Sequence, residues 1–65
     1  MTVKDFIDLL KKYPQDMPVA YQEYSDYSEL TEGAITVQEL QFPRGDGYVG
    51  SFRADKPSQK WLTIA

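Results

Sequence analysis

The sequence predicts an α+β chain: one N-terminal helix packed on a small, mainly antiparallel sheet of three to four strands, in the order α-β-β-β-β. Three observations carry that expectation. Apolar residues recur at three- and four-residue spacing up to Tyr13 and at two-residue spacing after Pro18. Two turn signals, Pro43-Arg44-Gly45-Asp46-Gly47 and Ala54-Asp55-Lys56-Pro57-Ser58, divide the second half into short segments. The 65 residues are 42% apolar and 26% charged, the balance of a folded domain rather than a disordered tail, and they read as a single domain spanning residues 1 to 65.

The helix is expected over residues 3 to 13. Thr2 is its N-cap and Asp5 stands where a capping box places its acid. Val3, Phe6, Ile7, Leu10 and Tyr13 form the expected buried stripe, and Asp8 and Lys12 have the favourable i,i+4 order. Pro14 ends the helix, because the residue before a proline is pushed out of helical geometry, and the nearby lysines complement the helix dipole.

Strand one is expected over residues 19 to 24, where Val19, Tyr21 and Glu23 alternate with Ala20, Gln22 and Tyr24. Residues 25 to 33 are acidic and aperiodic, a long loop with Leu30 as its apolar anchor. Residues 34 to 42 read as strand two. Ile35 and Val37 share one parity and Leu40 and Phe42 the other, so a bulge near Gln38 or Glu39 would return both pairs to one core. A hairpin turn then leads to strand three over residues 48 to 53, with Gly50 marking a bulge or a close approach, and residues 59 to 64 form strand four. Trp61 and Phe52, at strand spacing, are expected in the core.

The composition excludes several chemistries. Without cysteine or histidine there is no disulfide, no zinc site of the usual ligands and no Cys/His nucleophilic catalysis, and the serines have no histidine partner. Gly45-Asp46-Gly47 is neither a P-loop nor a dinucleotide fingerprint, so no cofactor is expected. No apolar run approaches the ~20 residues of a membrane span. The N-terminus has no secretory pattern, which points to the cytoplasm, and with it Arg44-Gly45-Asp46 is turn chemistry rather than an adhesion signal.

Charge is unevenly placed: residues 1 to 12 carry +1, residues 13 to 43 carry −6 with no base, and residues 44 to 65 carry +2. The acidic middle disfavours direct nucleic-acid binding and would steer a basic partner. Asp26, Glu29 and Glu32 recur every three residues, but the run lacks the alternate ligands and the glycine of a calcium loop. Tyr21, Tyr24 and Tyr27 lie among serines and acids, a composition that adaptable binding loops use. Tyr21 also fits a core position of strand one. Tyr24, Asp26, Tyr27, Glu29 and Glu32 are therefore the candidate binding residues for a protein partner.

Met1-Thr2-Val3-Lys4-Asp5-Phe6-Ile7-Asp8-Leu9-Leu10, followed by Tyr13-Pro14-Gln15-Asp16-Met17-Pro18-Val19, resembles the start of small uncharacterised phage- and prophage-encoded proteins: M-T-V, a short amphipathic helix, P-x-D-x-P-V, then strands. The resemblance covers about the first 19 residues. It carries over no catalytic residue, and neither the tyrosine loop nor the Arg44 to Gly47 turn belongs to the motif. It implies a small protein that binds a host or phage protein and modulates or inhibits it by stoichiometric contact. A structural homo-oligomer, with a homodimer covering an open face or edge, and an acidic nucleic-acid mimic are the alternatives. A cation-dependent enzyme would need Asp26, Glu29 and Glu32 to converge.

Overall fold

The computed structural model describes every residue except Tyr24 and Ser25. It contains one α-helix, α1 (Val3–Leu10), and three strands among the described residues: β1 (Val19–Tyr21), β2 (Ile35–Gln41) and β3 (Ser58–Ile64). A 3-10 turn, Glu32–Ala34, leads into β2.

α1 starts as its sequence dictates. The Asp5 N–H donates to Thr2 Oγ1 and the Thr2 N–H donates to Asp5 Oδ2, both at 3.1 Å, a reciprocal capping box. Its regular part stops at Leu10, short of residue 13. The next turn tightens, with the N–H groups of Lys12 and Tyr13 donating to the carbonyls of Leu9 and Leu10. Past that turn, the Gln15 amide donates to the carbonyls of Leu10 and Tyr13. Lys11 and Lys12 thus lie beyond the last helical turn, and Asp8 pairs with Lys11 at 3.9 Å rather than with Lys12.

The buried stripe of α1 is rotated from the expected one. Leu9 is buried and Phe6, Leu10 and Tyr13 pack beside it, whereas Val3 is 78% exposed and Ile7 half exposed. Both stripes contain Phe6 and Leu10, so helical periodicity alone fits either. The sheet selects Leu9, which meets Ile35 and Leu62 in a cluster that Met17, Leu30 and Ile64 complete.

The sheet is mixed, in the order β1-β3-β2. β2 runs antiparallel to β3, from Ile35 opposite Ile64 to Gln41 opposite Ser58, without interruption. The expected bulge is therefore absent. Cross-strand neighbours share a face, so Ile35 and Val37 join Leu62 and Ile64 on the helix side, while Leu40 joins Trp61 and Thr63 on the other. Apolar residues of opposite parity need no bulge, because both faces of β3 are covered: Trp61, Leu62 and Thr63 are all buried.

β1 pairs with β3 in parallel, Val19 opposite Leu62, which corrects the antiparallel expectation. The 36 residues between Tyr21 and Ser58 leave ample chain for the crossover that parallel strands need. Strand one stops at Tyr21 as an edge strand, so Tyr21 is exposed rather than in the core, with its hydroxyl 3.4 Å from Glu23 Oε1.

Residues 48 to 53 form no strand beyond one bridge, Leu40 to Ser51, with the Gln41 N–H donating to the Gly50 carbonyl at 2.9 Å. The preceding turn does form: Gly45 and Gly47 have φ of +91° and +92°, and the Asp46 side chain accepts from the Tyr48 N–H. Gly50 weakens residues 48 to 53 as a strand. Ser58–Ile64 offers seven uninterrupted residues with three large apolar side chains, and it takes the place beside β2. Phe52 consequently stays exposed, whereas Trp61 is buried as expected.

Candidate functional site

The acidic segment is held at both ends. At one end the Gln22 N–H donates to the Ile64 carbonyl, and at the other Leu30 packs into the helix–sheet core, as its isolated apolar character suggested. The chain between them is displayed on the surface. Asp26, Tyr27, Ser28 and Glu29 are exposed, and the Tyr27 side chain is as accessible as in an isolated peptide, at 104%. Tyr24 lies outside the described residues.

Leu30 sets where the neighbouring carboxylates fall. Glu29 approaches the Met1 ammonium at 4.0 Å, and Glu32 stands in the 3-10 turn that feeds β2. Glu29 and Glu32 line a shallow depression of about 470 Å³ together with Asp5, Asp8 and Lys12 of the helix side. Asp26 and Tyr27 are not part of its wall. The four described candidate residues thus divide: Glu29 and Glu32 are brought together, Asp26 and Tyr27 stand apart on the loop. Among the described residues no three carboxylates converge closely enough to hold a metal ion.

Asp5 and Asp8 extend the acidic surface, and neither was a sequence candidate. Their three-residue spacing on a helix was the available signal, but only the position of Leu30 against α1 turns it toward Glu29 and Glu32. The Thr2 N–H, donating to the Asp5 carboxylate, holds its pKa below the ordinary value, with the Thr2 hydroxyl adding to the effect.

The sheet face away from α1 carries a second concavity of about 560 Å³, walled by Gln38, Leu40 and Thr63 of the sheet and by Tyr48 and Val49 of the loop. Its floor is a closed polar network. Thr36 Oγ1 and Thr63 Oγ1 lie 2.8 Å apart, and the Gln38 amide donates to Thr63 Oγ1 at 3.1 Å. Trp61 Nε1 is buried with no partner among the described residues.

Comparison with protein-family models, with curated proteins and with solved structures yields no match. No helix among the described residues is long and apolar enough to cross a membrane.

Proposed function

We propose that the chain is a small cytoplasmic binding module of the phage-encoded kind. In this reading it occupies a host or phage protein stoichiometrically and performs no chemistry of its own. Tyr27 carries the proposal. A fully exposed aromatic ring, on a loop anchored at Leu30, offers a partner a large contact area. Asp26 and Glu29 lie within two residues of it, and with the exposed Glu32 they give this segment a negative charge that suits a basic surface on the partner.

The test is capture from bacterial lysate with immobilised wild-type chain, Tyr27→Ala and an Asp26/Glu29/Glu32→Lys variant, followed by titration of whatever protein is retained. Tyr27→Ala should weaken binding by at least ~30-fold, the scale of an interface hot spot. The charge variant should abolish binding, and added salt should weaken it. Undiminished binding by Tyr27→Ala, with circular dichroism unchanged, would refute this function.

A further inference from the structure

Asp46-Gly47 stands at the tip of the turn that follows β2, outside the acidic segment, and both residues are exposed. The Asp46 side chain folds back along the chain, where its Oδ1 accepts from the Tyr48 N–H at 3.0 Å. That bond closes a small ring containing both the Asp46 carboxyl carbon and the Gly47 nitrogen, so the carboxyl is folded toward the Gly47 peptide. The Gly47 N–H has no hydrogen-bond partner among the described residues. Gly47 carries no side chain to obstruct an approach, and nothing stands within 4 Å of where its Cβ would be. Asp46 pairs with no cation among the described residues.

No other aspartate combines these features. Asp5 and Asp8 lie in α1. Asp16 and Asp55 precede Met17 and Lys56, whose N–H groups already donate to the carbonyls of Pro14 and Arg53. Asp26 precedes the bulky Tyr27. The chain contains no asparagine, so any isoaspartate formed in it comes from an aspartate.

We propose that Asp46 is a site of spontaneous covalent modification, converting to an isoaspartyl linkage in the folded chain. The Gly47 nitrogen attacks the carboxyl carbon of the Asp46 side chain in its acid form. A C–N bond forms, and the carboxyl hydroxyl leaves with the amide proton as water, giving a cyclic imide. Water then adds at the Asp46 main-chain carbonyl and breaks its bond to the Gly47 nitrogen. The main chain now runs through Cβ and the side-chain carbonyl, and the free carboxylate stands on Cα. The water lost in the first step is regained in the second, so the mass is unchanged and no oxidant, cofactor or enzyme is required. Holding nucleophile and carboxyl together in a closed turn is what favours the first step.

The modification rebuilds the turn. It removes Asp46 Oδ1 as the acceptor for the Tyr48 N–H and lengthens the loop that the Arg44 N–H closes on the Tyr48 carbonyl at 3.2 Å. Tyr48 and Val49, which wall the concavity over Gln38 and Thr63, are the residues it displaces.

The test is prolonged incubation of the full chain under native conditions, followed by peptide mapping with electron-transfer fragmentation, which distinguishes aspartyl from isoaspartyl linkages at each position. Wild type should accumulate isoaspartate at position 46 with no change of mass, and far less at Asp16, Asp26 and Asp55. Asp46→Glu keeps the charge but would have to close a larger ring, so it should accumulate none there while retaining wild-type circular dichroism. Asp46→Asn loses ammonia more readily than the acid loses water, and should reach the same linkage faster. Native wild type that keeps Asp46 intact, converts it only when unfolded in urea, or converts it no more than Asp26 overturns the proposal. An Asp46→Asn variant that never converts overturns it as well.

Discussion

Leu9→Ala and Val3→Ala form a matched pair, because periodicity favours Val3 as the buried residue and the fold buries Leu9. Leu9 is 7% exposed and meets Ile35 and Leu62. Truncating such a leucine costs about 2–5 kcal/mol through lost transfer energy and the cavity left behind. A domain of this length has roughly 3–10 kcal/mol of total stability, so the variant should lose much of it. With a urea slope near ~1 kcal/mol per molar for so small a chain, the midpoint should fall by at least ~2 M.

Val3 is 78% exposed, so only about a fifth of its side chain is covered. The transfer energy at stake is then about 0.3–0.6 kcal/mol, and the better helix propensity of alanine offsets roughly that much. Val3→Ala should leave the midpoint unchanged within about 0.5 M. Urea denaturation followed by far-ultraviolet circular dichroism measures both, with equal slopes as the check that the denatured states are alike. A midpoint lowered as far by Val3→Ala as by Leu9→Ala would refute the rotated stripe.

Other consequences are equally open to measurement. The Asp5 carboxyl has its folded pKa lowered by the Thr2 N–H, so the capping box contributes fully above the ordinary aspartate range and is lost as pH falls through the lowered value. An NMR titration should show Asp5 titrating low, and Thr2→Ala should raise it only part of the way, because the backbone N–H remains. Thr63→Val removes the hydroxyl that the Gln38 amide and Thr36 share, and should cost about 1–2 kcal/mol by urea denaturation. A neutral result would mean that the network contributes nothing. Gly50→Ala would place a Cβ 2.8 Å from the Gln41 amide nitrogen, the movable end of a side chain. It should displace the bond from that amide to the Ser51 carbonyl, at a net cost below ~1 kcal/mol once the entropy of the unfolded chain is included. A loss of several kcal/mol would show that the side chain cannot move.

Local chemistry is legible in this chain wherever a residue acts on its near neighbours. The Thr2 and Asp5 capping box, the glycines of the Pro43 to Gly47 turn and the anchoring Leu30 all follow from the chemistry of single residues and their near neighbours. Among the candidate site residues, the exposure of Asp26, Tyr27, Glu29 and Glu32 is legible for the same reason: a polar, aperiodic run has no stripe to bury. The joining of Glu29 and Glu32 with Asp5 and Asp8 was not, since it depends on how Leu30 sits against α1.

The sequence by itself determined that there is one N-terminal helix, where it begins, and that strands follow separated by turns. Tertiary structure alone decided which stripe of α1 is buried, that β3 is the central strand, that β1 runs parallel to it, and that residues 48 to 53 give up their place beside β2. The physical reason is that periodicity records which residues can share a face, while strand order and helix phase depend on which faces meet. Trp61, Leu62 and Thr63 are three consecutive residues that bury both sides of one strand, and a strand covered on both faces is most stable with a neighbour on each edge.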